Sequence, residues 1–245
     1  MNGKLVAFAL IVLGNSPCYA LTLGLQGLNG QSAYEQHFLE DYERATAQLG
    51  EKRSLGPMLD LLQKYKRPLE QAQLEVTIGV AYGQYGGLID PAKAAEHFSN
   101  ALKFDLPEQA FIDVLMWRGN AYEQLNQPDR AMADYLRGLV ACSYYALPGE
   151  WPEIKEPPQP IYMNSRDPEN SARVRDYNTY RYKTDFVQHL MTQKYGFIES
   201  VRRVQQASKM DQASVLATLQ KLTPDPHVIA TVEGFLGEEN HRPWP

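Results

Sequence analysis

Cysteine is scarce in this 245-residue chain, which has two: Cys18 in the N-terminal segment and Cys142. If the N-terminal segment is removed as a leader, the single remaining thiol cannot form an intrachain disulfide, and its apolar neighbours predict that Cys142 is buried. None of the five histidines has another histidine or a cysteine at metal-ligand spacing. The sequence therefore predicts no disulfide framework and no metal site, and the hydrophobic core must stabilise the fold.

Sequence patterns of common catalytic sites are also missing. The chain has no His-Glu-x-x-His, no Gly-x-Ser-x-Gly and no glycine loop of the phosphate-binding kind. Neither sign of charge dominates, since 24 basic and 29 acidic residues give a net charge of −5 and are mixed along the chain. We therefore predict a protein that is not an enzyme, holds no cofactor and does not bind nucleic acid, because nucleic-acid-binding domains carry clustered positive charge.

The N-terminus has the features of a secretory signal peptide. Lys4 supplies a positive charge, residues 5–13 form a short apolar core, and Cys18-Tyr19-Ala20 resembles a cleavage site. We predict that residues 1–20 are a signal peptide cleaved after Ala20, and that the protein is periplasmic or secreted. Lipidation at Cys18 and an uncleaved anchor are the alternatives. No later segment is apolar for long enough to cross a membrane, so we expect no transmembrane segment in the mature chain.

One short pattern occurs twice, with a period of about 37 residues. The copies are Gly79-x-x-Tyr82 with Ala94-x-x-x-Phe98-x-x-Ala101, and Gly119-x-x-Tyr122 with Ala131-x-x-x-Tyr135-x-x-Gly138. Residues three apart, or at i, i+4 and i+7, share one helix face. Small residues beside an aromatic residue let two antiparallel helices interlock, so each copy predicts a helical hairpin.

This pattern resembles the tetratricopeptide repeat (TPR), with two tandem copies at about residues 70–145. In the second copy, Leu115 replaces a frequent Trp, Arg118 replaces Leu, Gly138 replaces the second alanine, and the closing proline is not in its usual place. In the first copy, Glu75 stands at the Trp position and the central turn carries an insertion. The resemblance implies an all-α fold of antiparallel helix-pair repeats, an α-solenoid. An ordinary pair of helical hairpins is the alternative.

Helical periodicity and proline placement divide the rest of the chain. The predicted segments are a loose stretch at 21–32, a TPR-like helical repeat domain at 33–145, a Pro-rich irregular segment at 146–178, a C-terminal helical extension at 179–238 and a tail at 239–245. Because the Pro-rich segment also contains aromatic residues, we expect it to pack against the repeats. An exposed linker is the alternative.

The TPR resemblance also implies a binding groove, because in that family the first helix of each pair lines the concave face. The implied groove residues are Gln73, Val76, Val80 and Gln84 in the first copy, and Asp113, Met116, Asn120 and Glu123 in the second. Some family members clamp a terminal carboxylate with basic residues, and Met116 occupies one such place. We therefore expect a peptide of mixed polarity rather than a C-terminal carboxylate.

A second candidate site is a cluster of basic and aromatic residues near the start of the helical extension. It contains Arg173, Arg175, Tyr180, Arg181 and Lys183. Such residues can hold an anionic group by charge and stacking, here a glycan, an acidic peptide or a lipid headgroup. Packing of the tyrosines, with the arginines paired to acidic neighbours, is the alternative.

Taken together, the sequence predicts an exported scaffold or adaptor that binds a protein or an extended peptide. Two alternatives from other classes are an enzyme or enzyme accessory subunit, with a site between the repeats and residues 146–200, and a structural envelope component.

Overall fold

The computed structural model describes residues 33–84, 87–144 and 189–237, and these residues form nine α-helices and no strand. The helices are α1 (Ala33–Lys52), α2 (Gly56–Lys64), α3 (Pro68–Gln84), α4 (Pro91–Ala101), α5 (Glu108–Gln124), α6 (Pro128–Ser143), α7 (described over 189–208), α8 (Gln212–Leu222) and α9 (Pro226–Gly237). The all-α prediction is confirmed for this part of the chain. No helix in it is both long and apolar enough to span a bilayer.

Several predictions fall outside the described residues. These are the signal peptide at 1–20, the loose stretch at 21–32, the Pro-rich segment at 146–178, the first part of the helical extension and the tail. The basic-aromatic cluster lies there too, so its five residues stay a sequence-based prediction.

The chain divides into two compact units, one ending at Asp134 and the other beginning at Tyr135. This division falls inside α6, so one helix contributes residues to both units. The first unit contains α1 to α5 and the start of α6. The second contains the end of α6 together with α7, α8 and α9.

In the first unit, α1, α2 and α3 share one buried cluster, to which α3 contributes Leu74, Ile78 and Ala81. Phe38, Ala45 and Leu49 of α1, which recur at helical spacing, are buried in this cluster. The ring centroid of Phe38 lies 5.0 Å from that of Tyr65 in an edge-to-face arrangement. Burying such side chains contributes about 1.5–3 kcal/mol each to the stability of the unit.

The other side of α3 packs against α4, and α4 in turn packs against α5. Phe98 projects from α4 against Gly79, where an added Cβ atom would lie 2.7 Å from two atoms of the ring. Val76 and Val80 belong to the same buried cluster as Phe98. The glycine therefore permits the close helix contact that the repeated pattern predicts.

Prolines and capping residues set where the helices begin. Asp90 caps α4, since its carboxylate accepts a hydrogen bond from the amide of Lys93 at 3.1 Å, and Pro91 occupies the first turn. Asn126 adopts a φ of 55° in the short turn between α5 and α6. Asparagine tolerates this left-handed conformation better than most residues.

Arg118 links three helices of the first unit. Its guanidinium donates to both carboxylate oxygens of Asp134, at 2.8 and 2.6 Å, and to the Ser99 hydroxyl at 3.1 Å. Burial lowers the pKa of Arg118, but the hydrogen bond and charge of Asp134 raise it, and the net shift is upward. The ion pair with Asp134 and the hydrogen bond to Ser99 thus connect α5 to α6 and α4.

The second unit has its own core. Phe197 of α7 packs on Gly138, where a Cβ atom would overlap the ring, and its ring centroid lies 6.2 Å from that of Tyr135. Asp211 caps α8 by accepting from the amide of Ser214 at 2.8 Å, as its position in the sequence predicts. The Phe197 ring therefore occupies the space that a Cβ atom at position 138 would need.

Candidate functional site

A cleft of about 530 Å³ opens in the first unit, where α3 and α5 end and α4 begins. Its lining residues are Gly83 and Gln84 of α3, Pro91 and Phe98 of α4, and Trp117, Asn120, Ala121, Glu123 and Gln124 of α5. Most of the lining therefore comes from the last two turns of α5.

Three of the eight predicted groove residues are brought together in this cleft. Gln84 comes from the first repeat copy, and Asn120 and Glu123 from the second. Gln84 is exposed, whereas Asn120 and Glu123 are half-buried. Residues from both predicted repeats thus face one space.

The other five predicted groove residues do not line the cleft. Val76 and Val80 belong to the buried cluster around Phe98, and Asp113 is 4% exposed. Gln73 is also buried, and its amide donates to the Tyr42 hydroxyl at 2.9 Å. Met116 is half-buried and lies outside the lining. Because most of α3 is buried, it contributes to this cleft only through Gly83 and Gln84 at its C-terminal end.

Trp117 is the main lining residue that the sequence did not single out. Its ring stacks on Phe98 with a centroid distance of 5.9 Å and an interplanar angle of 30°. Trp117, Asn120 and Gln124 follow one another at i, i+3 and i+7, which places them on one face of α5. This spacing could have predicted from the sequence that Trp117 lies on the same helix face as Asn120.

Few charged side chains lie in or beside the described part of the cleft. Glu123 is the only formally charged residue in its lining as described. Asp90 lies next to Pro91 at the rim, and hydrogen bonding from the Lys93 backbone amide lowers the pKa of its carboxyl group. Among the described residues of the lining there is no lysine or arginine.

Carboxamides are the main polar groups of the described lining. Gln84, Asn120 and Gln124 carry carboxamides, which both donate and accept hydrogen bonds. The lining as described contains no hydroxyl, thiol, imidazole or amine that could act as a nucleophile or a neutral-pH base.

Neither His97 of α4 nor Cys142 of α6 lines the cleft. His97 Nδ1 lies 2.7 Å from Glu75 Oε2, which joins α4 to α3, and the Tyr82 ring stacks on the imidazole with a centroid distance of 5.6 Å. None of these three residues lines the cleft. Cys142 is buried as predicted. Across the residues that the structure describes, no three His, Cys, Asp or Glu side chains form a group that could hold a metal ion.

No protein-family model matches this chain, and neither a curated protein sequence nor a solved structure shows significant similarity to it.

Proposed function

We propose that this chain is an exported, TPR-like adaptor that binds an extended peptide, or an extended segment of a protein, in the cleft at the ends of α3 and α5. The observation that carries the proposal is that Gln84, Asn120 and Glu123 line one cleft with Trp117. The TPR resemblance names the first three as groove residues from two different repeats. The cleft volume lies within the range of about 300–1,000 Å³ that is usual for ligand sites.

Helix packing supports a stack of repeats. α4 packs against both α3 and α5, and α3 also contacts α5, the second helix after it. Contacts to the next helix and to the one after it are expected when helical pairs stack in sequence. The close contact of Gly79 with Phe98 supports the first repeat in particular.

The lining chemistry supports peptide binding. A peptide backbone presents N–H and C=O groups that need partners when water is displaced. The three carboxamides of the cleft can satisfy both kinds of group, and Trp117 with Phe98 provides apolar surface for a side chain.

The test is capture of a random heptapeptide library by the exported chain and by the double variant Asn120→Ala, Glu123→Ala. Loss of interface hydrogen bonds typically costs about 1–3 kcal/mol, so we expect capture to weaken roughly 5- to 150-fold. Neither side chain belongs to a buried core cluster. The melting temperature of each variant is recorded alongside, so that capture is compared only between folded chains.

The matched control is Asn100→Ala, Glu96→Ala, which removes the same two side-chain types from α4 outside the lining. This variant should capture peptides as the unmodified chain does. If the cleft variant also captures normally, and Arg175→Ala, Arg181→Ala abolishes capture, the basic-aromatic cluster is the binding site instead. A chain that captures no peptide contradicts the adaptor proposal.

A further inference from the structure

We propose that the cleft selects proline-containing peptides in the polyproline II conformation, with a proline ring against Trp117 and backbone carbonyls toward Gln84 and Gln124. This inference rests on the proposed function, because it names the chemistry of the peptide that the same cleft binds. Its basis is a set of hydrogen-bond donors in the lining, two of which are spaced along α5 by about one turn of that peptide conformation.

Three side-chain N–H donors of the lining form no hydrogen bond with any residue that the structure describes. They are the indole N–H of Trp117 and the carboxamides of Gln84 and Gln124. Trp117 is half-buried, so a ligand that covers its indole must supply an acceptor for the N–H group. A peptide in the polyproline II conformation presents such acceptors, because its carbonyls make no internal hydrogen bonds and each proline lacks an N–H donor.

The spacing of two of these donors along α5 matches the same conformation. Trp117 and Gln124 are seven positions apart, which places them about 20° apart around the helix and about 10.5 Å apart along it. A polyproline II chain repeats every three residues over about 9.3 Å, so positions i and i+3 face the same side at nearly this spacing. In an extended strand the positions that face one side lie about 6.6 or 13 Å apart, and neither distance fits as well.

The cleft is too small to enclose a helical ligand. An α-helix about 10 Å wide occupies about 800 Å³ over a length of about 10.5 Å. The cleft provides about 530 Å³. Gly83 and Ala121, which have little or no side chain, form part of its lining and leave room for a narrower, extended backbone.

Trp117 provides an oriented apolar surface for the proline ring. Phe98 is 1% exposed and stacks on the indole with a centroid distance of 5.9 Å and an interplanar angle of 30°. Proline-rich segments dock in grooves that aromatic rings line, and they lose little conformational entropy because the conformation exists before binding. The lining therefore combines an aromatic surface with donors for the carbonyls that follow the proline.

The test compares uncharged heptapeptides that are blocked at both ends and carry L-proline, D-proline or alanine at positions 3 and 6. Affinity for the full chain is measured by fluorescence anisotropy. We expect the L-proline peptide to bind about tenfold more tightly than the alanine peptide, because L-proline fixes φ near −65° and prepares the bound conformation. D-proline keeps the ring and inverts φ, so this peptide should bind no better than the alanine peptide.

Two variants of α5 test the donors. Trp117→Phe keeps an aromatic ring beside Phe98 and removes the indole N–H, and Gln124→Met removes the carboxamide of an exposed residue and keeps its length. Each should weaken binding of the L-proline peptide about fivefold. The matched control is Gln109→Met, the same substitution in the first turn of α5 and outside the lining, which should leave the affinity unchanged. Melting temperatures restrict the comparison to folded chains.

The outcomes separate this inference from the proposed function. Equal binding of the three peptides overturns the selectivity for polyproline II while peptide binding stands. A preference for L-proline that survives unchanged in both Trp117→Phe and Gln124→Met means that the proline site lies outside the cleft, and it also overturns the inference. If neither the random library nor any of the three peptides binds, both proposals are wrong.

Discussion

Two glycines have the same role in different units: each lets a phenylalanine ring contact the backbone of another helix. Phe98 packs on Gly79 in the first unit, and Phe197 packs on Gly138 in the second. In both places the ring occupies the space that a Cβ atom would need. A single methyl group at either position would therefore force the ring or the helix to move.

Gly79→Ala should lower the free energy of unfolding by about 1–3 kcal/mol, because overpacking a close contact outweighs the gain in helix propensity. Gly234→Ala is the matched control. It also lies within a helix, but its added Cβ atom would meet nothing within 4 Å. The control should raise stability by up to about 1 kcal/mol. Urea denaturation measures both, and equal effects of the two changes would contradict the packing described here.

The sequence predicted some residue contacts and missed others for identifiable reasons. The pairing of a small residue with an aromatic one follows from helical spacing, so the contact of Gly79 with Phe98 could be predicted from the sequence. The burial of Val76 and Val80 could not be predicted, because residue spacing defines a helix face but not how many neighbouring helices cover it. Trp117 was missed because the family pattern drew attention to Met116 instead.

Between α1 and α2, a group of polar side chains joins the two helices. The Asp41 carboxylate accepts hydrogen bonds from the Lys64 ammonium at 2.5 Å and from the Tyr65 hydroxyl at 2.7 Å, and it also pairs with Arg44. The hydrogen bonds from Lys64 and Tyr65 are the main causes that lower the pKa of Asp41. The α1–α2 junction is therefore stabilised by the ionised form of this carboxyl group.

The contribution of Asp41 to stability should disappear in acid. Its pKa in the folded chain lies below the value of about 3.9 expected when unfolded, so the contribution is complete above that pH. It is lost as the pH falls through the lower, folded value. Unfolding free energies of the unmodified chain, Asp41→Asn, Lys64→Met and the double variant give the coupling between the two residues. That coupling should be present at pH 7 and shrink below about pH 4; a constant coupling would show that the charge of Asp41 is not involved.

Helices were easier to predict than the surfaces between them. Pro91 and Pro128 follow Asp90 and Gln127 at the start of two helices, and these local signals need no knowledge of the rest of the fold. The cleft, by contrast, forms where three helix ends meet. Its position depends on how α3, α4 and α5 pack, which a single sequence specifies only through many weak contacts.

At the scale of the whole molecule, α6 is the element that both units share. The helix runs from Pro128 to Ser143, and the boundary between the units falls after Asp134. Helix formation is cooperative, and short isolated helices are marginal in water. Unfolding of either unit therefore removes support from a helix that the other unit needs.

We expect the two units to unfold in one transition. Gly79→Ala acts in the first unit and Gly138→Ala in the second, where the added Cβ atom would overlap Phe197. Each variant should lower the midpoint of a single calorimetric transition. Two separate transitions, of which each variant shifts only one, would show that α6 does not couple the units.

The ion pair of Arg118 has a consequence for the order in which the chain folds when it emerges N-terminus first, from a ribosome or from an export channel. Its partner Asp134 is the last residue of the first unit and lies sixteen positions later. A chain that emerges from its N-terminus thus presents a guanidinium destined for burial well before the matching carboxylate exists. Burying an unpaired charge costs several kcal/mol, so α5 cannot reach its final packed position until Asp134 has emerged. The first unit therefore completes its folding only after its last residue, Asp134, has emerged.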